Sequence, residues 1–232
     1  MNLILDLCSW CSNLSNPIPQ EYYKAGSIAS EVREHIRKTL TGGVRILDIC
    51  EEVESMILDL GGKPAFPCNV CINEVAAHYT AEPEEKGLLH ESDLVKVDIG
   101  VHVDGYVADT ATTVSLDPHY ADLLEATEVT LNEALSIARE GVRLGEIGRT
   151  VTECSKRRGF RPITNLSGHS LDRYRVHAGK SIPNTWTPGP AQLAHGEVYA
   201  IEPFLTLPDG AGMVKEGNTT NIFSMISRKR TG

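Results

Sequence analysis

The feature that most constrains the fold of this chain is a run of alternating β-branched residues at positions 94–114, with the sequence LVKVDIGVHVDGYVADTATTV. Its centre, Asp104-Gly105, is a two-residue turn sequence that accepts positive φ angles, so the run predicts a β-hairpin. With these residues in the turn, Gly100 lies opposite Asp109.

Side chains alternate across a strand, so this hairpin has two faces of different chemistry. We expect the face rich in valine, isoleucine and threonine to pack on the core. The other face carries Asp98 and Asp109 as diagonal neighbours, roughly 7 to 8 Å apart at the backbone. Carboxylates this close repel each other unless a cation lies between them. The alternative is a pair of solvated acids on an exposed sheet.

The composition indicates a globular protein of one large domain or two small halves. The chain has 232 residues, of which 41% are hydrophobic and 23% charged. Its net charge, 22 minus 31 or −9, argues against a specific nucleic-acid partner. The apolar start contains Asp6, lacks a basic leader and is shorter than the roughly 18 apolar residues of a membrane span. We therefore expect a cytoplasmic protein without a membrane partner.

Six scattered cysteines in a chain of this size are expected to be reduced thiols. Two CxxC pairs, Cys8/Cys11 and Cys68/Cys71, are compatible with a tetrahedral zinc site. Their separation of 60 residues is far outside zinc-ribbon spacing, which makes this the less favoured alternative.

The chain divides into an N-terminal extension, residues 1–16, and one domain, residues 17–232. Apolar residues at three- and four-residue steps predict helices that end at glycine-rich turns. These four helices are expected over residues 21–40, 46–60, 121–139 and 146–158.

Segments of the first half recur in order in the second half. GGVRILDICEEV at 42–53 resembles EGVRLGEIGRTV at 140–151, 98 residues later. Further on, LHESDLVKVD ends at Asp98 and its counterpart LAHGEVYAIE ends at Glu202, 104 residues later. Such a repeat predicts a pseudo-twofold α/β domain of two helix-helix-sheet halves, with a site where the halves meet.

The segment GHSLDRYRVHAGK adds two histidines, His169 and His177, between the acids of the two halves. A single histidine is usually a core or surface residue. Carboxylate oxygens together with one imidazole, however, suit divalent manganese, iron, cobalt or zinc better than a thiolate site would.

Four segments resemble the signatures of type II methionine aminopeptidases, members of the pita-bread metallopeptidase family within the creatinase and prolidase superfamily. They are GHSLDRYRVHAGKSIPN, AAHYT, VKVDIGVHVDGYVADTATT and VYAIEPF, and the resemblance extends over about residues 17–226. It implies an α/β (α+β) pita-bread fold and a metallo-exopeptidase that removes the N-terminal methionine from nascent proteins and peptides.

The resemblance also implies a role for individual residues. Asp98, Asp109, His169 and Glu202 would bind two divalent metal ions (cobalt, manganese, iron or zinc) that activate one water molecule. Glu202 would in addition move a proton.

The remaining implied roles concern the substrate. His78 and His177 would steer the substrate and stabilise its tetrahedral intermediate. Phe66 and Val176 would line the methionine pocket, although a plain core aromatic is an equally good interpretation of Phe66. The implied partners are peptide or nascent-chain N-termini, with ribosome association and a monomeric state as further expectations.

The sequence departs from the family pattern after Glu202. The family's fifth ligand, a glutamate in a late segment like QFEHT, has no counterpart, and neither Glu216 nor Asp209 is favoured in its place. We therefore expect a C-terminally truncated chain with one weak metal site and an exposed sheet edge. The sequence does not decide whether such a chain is catalytically active. Cys68 and Cys71 lie beside the pocket segment and are expected to make the protein sensitive to oxidation.

Two other functions fit the same fold. A non-catalytic pita-bread binding protein would generally have lost the ligands, whereas all four are present. An Xaa-Pro dipeptidase usually carries a large N-terminal domain, whereas only about 16 residues precede the shared region.

Overall fold

Each half of the chain begins with two helices and continues into antiparallel strands. A computed structural model describes residues 18–217 and 221–223. The first half consists of α1 (Gln20–Thr39), α2 (Ile46–Asp59), β1 (Lys63–Pro64), β2 (Asn69–Ile72), β3 (Leu94–Val103) and β4 (Tyr106–Ser115). The second half consists of a 3-10 turn (Pro118–Tyr120), α3 (Ala121–Ile137), α4 (Leu144–Arg157), β5 (Arg161–Pro162), β6 (Ser167–Leu171), β7 (Ser181–Pro183), β8 (Val198–Ala200) and β9 (Leu205–Thr206).

The four predicted helices are present, and every boundary lies within two residues of its predicted position. The proposed extension, residues 1–16, lies outside the described residues. No described helix combines the length and the apolar character that crossing a membrane requires.

The hairpin of β3 and β4 has the predicted register, with Gly100 opposite Asp109. Asp104 and Gly105 form the turn with φ angles of 51° and 90°. These are the left-handed conformations that a type I′ turn requires and that glycine adopts without strain. The predicted core face is also confirmed, because the four β3 side chains Val95, Val97, Ile99 and Val101 are each 0% exposed.

Strand β3 is the centre of the first sheet. Strand β4 pairs along one edge, and β1 and β2 pair along the other. In the ladder with β2, Asn69 lies opposite Asp98. Among the described strands, β4 pairs only with β3, so its outer edge has no ladder partner within that part of the chain.

The predicted duplication is visible as repeated backbone contacts. Gly43 N donates to Leu89 O at 2.8 Å, and Gly141 N donates to Leu193 O at 2.9 Å. The two donors are 98 residues apart and the two acceptors 104 residues apart, which are the offsets found in the sequence. The strand registers repeat with the same offsets: Lys63↔His102 corresponds to Arg161↔Thr206, and Cys71↔Lys96 to His169↔Ala200.

The two halves differ in one strand, which is continuous in the first half as β3. Its counterpart is split into β8 and β9, and Pro203 lies in the gap. Proline has no backbone N–H to donate, so a regular ladder cannot pass through it. The chain is held again just beyond the gap, where Ile163 N donates to Phe204 O at 2.8 Å. Glu202 therefore lies in an irregular segment between two short strands.

A small apolar cluster joins the two halves. Val107 of β4 packs with Leu171 of β6 and Ala200 of β8, which are 2%, 6% and 5% exposed. The half-buried Ala65 and Val176 complete the contact. Each half also has its own larger core between its helices and strands. The cluster holds β4 against β6 and β8, where the site described next is formed.

Candidate metal centre

Three of the four predicted metal ligands converge at the junction of the halves. Asp109 comes from β4, His169 from β6, and Glu202 from the segment after β8. Each offers one ligand atom, and the three atoms lie within 4.8 Å of one another. His169 Nε2 is 3.5 Å from Asp109 Oδ2 and 3.1 Å from Glu202 Oε1.

These separations suit ligands of a single divalent cation. Two atoms that each lie about 2.1 Å from a shared ion are about 3.0 Å apart at a right angle and about 3.4 Å apart at a tetrahedral angle. The donor set of two carboxylates and one imidazole matches divalent transition metals.

The polar atoms at this position lack ordinary partners. His169 Nδ1 is buried without a hydrogen-bond partner, and Glu202 Oε1 is buried with an ion-pair contact to His169 Nε2 but no well-aligned hydrogen bond, although buried polar atoms are nearly always hydrogen-bonded. The side chains of Asp109 and His169 are 8% and 9% exposed, and that of Glu202 is 28% exposed. A cation would compensate the charge that burial otherwise makes costly.

Asp98 faces the same site but is not a member of the three-atom group. Its pKa is raised to about 6, chiefly by burial; the Glu202 carboxylate also raises this pKa, and the Lys96 charge lowers it. Burial, together with the charges of Asp98 and Glu202, also raises the pKa of Asp109 well above its ordinary value. The site thus concentrates acids that resist ionisation without a cation.

For the imidazole of His169, unlike the acids, the raised pKa favours the charged form. Burial lowers its pKa, but the Glu202 carboxylate and the backbone at Ser170 and Val176 together outweigh burial, so the pKa lies above its ordinary value. Without a cation, the nearby carboxylates therefore favour a protonated imidazole. A metal ligand must instead be neutral, so metal binding would displace this proton.

The two other predicted histidines lie beside the ligand group. The His177 ring centroid is 4.2 Å from that of His169, with the planes tilted by 48°. Burial, followed by the charge of His169, lowers the pKa of His177, and His78 contributes in the same direction. Both His78 and His177 are exposed, so they can reach a molecule bound at the site.

Phe66 and Val176, the predicted pocket residues, both lie near the ligand group but contact different elements. The Phe66 ring lies directly over Gly100, where an added Cβ would be 2.3 Å from the ring. Gly100 is opposite Asp109 in the hairpin, so the ring stands beside the acids. Val176 packs on the apolar cluster that joins the two halves.

Several other residues considered from the sequence lie apart from this group. Asp209 and Glu216 are both exposed, and neither belongs to the ligand group found in the described residues. Cys68 and Cys71 are buried, each 1% exposed, and both are free thiols. Their predicted sensitivity to oxidation stays a prediction, and Cys8 and Cys11 lie outside the described residues.

Sequence reasoning missed two residues on the hairpin face that carries Asp98 and Asp109, which we call the acidic face. Lys96 shares that face because it precedes Asp98 by two positions, and its ammonium group contacts Ala76 and Phe204. Asn69 lies opposite Asp98 on β2, and its Oδ1 is buried without a partner. Strand alternation alone places Lys96 on this face, whereas Asn69 requires the pairing of β2 with β3.

The chain is similar in sequence to metallopeptidases. The profile of metallopeptidase family M24 matches residues 20–222. The methionine aminopeptidase of Pyrococcus horikoshii is 48% identical over 88% of this chain and 68% of its own length. That of Methanocaldococcus jannaschii is 44% identical over 90% of this chain and 71% of its own length.

A solved structure agrees with the fold. Methionine aminopeptidase from Thermotoga maritima superposes with a TM-score of 0.72 at 29% identity, covering 81% of this chain and 80% of its own. The expected pita-bread fold is therefore confirmed.

Proposed function

We propose that this chain, which belongs to metallopeptidase family M24, removes the N-terminal methionine from peptides and nascent proteins. The observation that carries the proposal is the convergence of Asp109, His169 and Glu202 from both halves of the chain. The identity of 48% to an archaeal methionine aminopeptidase supports the choice of substrate.

The acidic face explains why the protein would use divalent metal ions. Asp109, His169 and Glu202 would hold one ion, and Asp98 on the adjacent strand would help to hold a second. We propose two ions, drawn from cobalt, manganese, iron and zinc, because the donors are oxygens and one imidazole nitrogen. Such ions make a water molecule more acidic and polarise a carbonyl group.

Glu202 is suited to move the proton. Its side chain is the most exposed of the three grouped ligands, at 28%, so part of it is accessible to solvent and to a bound molecule. We infer that its carboxylate takes a proton from the attacking water and delivers it to the leaving amine. A general base of this kind must lie within hydrogen-bond reach of the water in the bound state.

His177 and His78 would act on the substrate carbonyl. A lowered pKa keeps His177 neutral near pH 7, and a neutral imidazole still carries one N–H that can be donated. We infer that this N–H stabilises the negative charge that develops on the carbonyl oxygen. Losing one such donor typically costs about a hundredfold in kcat or more.

Substrate specificity would come from an apolar pocket and a charged one. Phe66 and Val176 offer apolar surface for an unbranched thioether side chain. The metal ions that Asp98 and Asp109 would help to hold favour a free, unprotonated α-amino group at the same end of the substrate, because an amine nitrogen is a ligand for such ions. An N-terminally blocked peptide would lack this contact, so the proposal describes an exopeptidase.

The protein acts on peptide N-termini in this proposal. Ribosome association, a cytoplasmic location and a monomeric state stay predictions. Each can be tested separately from the activity, by cosedimentation with ribosomes, by cell fractionation and by light scattering.

The test is release of methionine from Met-Ala-Ser by metal-stripped protein to which manganese or cobalt is returned. We expect release that depends on the added metal and is abolished in Glu202→Gln. N-acetylated Met-Ala-Ser, a matched control, should not be cleaved. Cleavage of Xaa-Pro dipeptides in preference to Met-Ala-Ser would replace the proposal with a proline dipeptidase. Failure to bind any metal would replace it with a non-catalytic binding protein.

A further inference from the structure

Two groups assigned to the reaction, His78 and Glu202, lie on irregular backbone. His78 has a φ of 62°, a left-handed conformation that costs energy in a residue with a side chain. Glu202 lies between β8 and β9, next to Pro203. Neither residue is held by a continuous strand ladder, so the direction of each side chain depends on contacts made by its neighbours in sequence.

The side chain of Lys96 contacts residues close in sequence to both His78 and Glu202. Lys96 Nζ donates a hydrogen bond to the carbonyl oxygen of Ala76, two residues before His78. The same Nζ lies 4.5 Å from the centroid of the Phe204 ring, two residues after Glu202. Ala76 belongs to the first half and Phe204 to the second, so a single ammonium group links the halves beside the metal ligands.

We propose that Lys96 is a positioning residue that holds the His78 loop and the Glu202 segment in place. The inference rests on the proposed function only for the roles of His78 and Glu202. The contacts themselves do not depend on any activity.

The local structure explains how Lys96 reaches both segments. Lys96 lies opposite Cys71 in the ladder of β3 with β2. Just after β2 the chain turns at Asn73, which has a φ of 53° and whose Oδ1 accepts from Leu94 N at 2.9 Å. This turn brings the following residues, including Ala76, back across the acidic face where the half-buried Lys96 side chain lies.

The chemistry of lysine suits a link of this kind. An ammonium group carries three donors on one compact charge, so it can satisfy a carbonyl and face an aromatic ring together. A hydrogen bond from a charged donor is stronger than one between neutral groups. A cation over an aromatic ring adds a further attraction that grows as water is excluded.

Hydrogen exchange on the metal-stripped protein tests the link without using activity. Val70 N donates to Tyr79 O and Ile163 N donates to Phe204 O, each at 2.8 Å, so these two amides report on the two segments. We expect both to exchange about tenfold faster in Lys96→Met. Helix amides of α2 should be unchanged, as should all amides in Lys86→Met, a control at an exposed loop lysine.

The proposal is overturned if the Val70 and Ile163 amides exchange at the wild-type rate in Lys96→Met. It is also overturned if the α2 amides accelerate equally, because Lys96 would then stabilise the fold as a whole. If wild-type protein releases no methionine, the proposed function fails while the exchange result still decides the role of Lys96.

Kinetics on Met-Ala-Ser provide the second readout. Lys96→Met should lower kcat about tenfold or more and change KM less than about threefold, since Lys96 contacts the sequence neighbours of His78 and Glu202 rather than these two side chains. Lys96→Arg keeps the charge and the donors, so it should recover most of kcat. The same loss of kcat in both variants, or a change confined to KM, contradicts a positioning role.

Discussion

Replacing Gly100 by alanine tests the packing of the Phe66 ring on the hairpin. The added Cβ would lie 2.3 Å from the nearest ring carbon, whereas a relaxed carbon contact needs about 3.5 Å. The ring must therefore move by about 1 Å or more. Phe66 is only half-buried, so the displacement is feasible, but it moves the ring from its place over Gly100.

Two opposing effects set the expected change in stability. Overpacking of a fitted site costs about 1 to 3 kcal/mol. Restricting the unfolded chain by replacing glycine with alanine stabilises the protein by about 0.4 to 1 kcal/mol. We therefore expect a net loss of about 1 to 2 kcal/mol in the free energy of unfolding of Gly100→Ala. We also expect a higher KM for Met-Ala-Ser, because the ring lines the proposed pocket.

Urea denaturation of the metal-stripped protein and steady-state kinetics measure these two effects. Gly217→Ala is the matched control, because an added Cβ there meets nothing within 4 Å. In Phe66→Ala the clash is absent, so the second change, Gly100→Ala, should cost less than it does alone. An increase in stability with unchanged KM would refute the contact, since only the effect on the unfolded chain would remain.

Two further predictions concern the acids and the neighbouring imidazole. The pKa of Asp98 in the metal-free fold is about 6 against an ordinary 3.8, so its ionisation destabilises the fold as pH rises through about 4 to 6. Between pH 5 and 7.5 the free energy of unfolding should therefore fall by about 1 kcal/mol less in Asp98→Asn than in the wild type, as measured by urea denaturation. An equal fall in the two proteins would contradict this pKa. Asp98→Ala should abolish turnover through loss of metal, whereas His177→Ala should slow turnover and retain the metal content. Equal metal loss in both variants, measured by atomic emission, would refute this division of roles.

The hairpin and the helices could be predicted because their signals are local. Alternating β-branched residues on both sides of Asp104-Gly105 specify the register without reference to the rest of the chain. The glycines at 43 and 141 have φ angles of 83° and 80° and end the same turn in each half. The repeat therefore predicted the order of helices, turns and strands in the second half from that in the first.

Contacts between distant segments could not be predicted in this way. The hairpin tip, for example, is held by the second half: Arg173 Nε donates to Asp104 O at 2.9 Å, and Tyr174 N donates to Gly105 O at 2.7 Å. No periodic pattern marks these residues. The link from Lys96 to Phe204 is of the same kind, because it depends on how the halves pack rather than on either strand alone.

The proposed function requires a cation that is held by groups from both halves of the chain. Calorimetric titration of metal-stripped protein with manganese tests this directly when wild type is compared with Asp109→Asn from the first half and His169→Ala from the second. We predict that the wild type binds manganese and that each substitution weakens binding at least about tenfold. Binding that is unchanged in either variant would contradict a site shared between the halves.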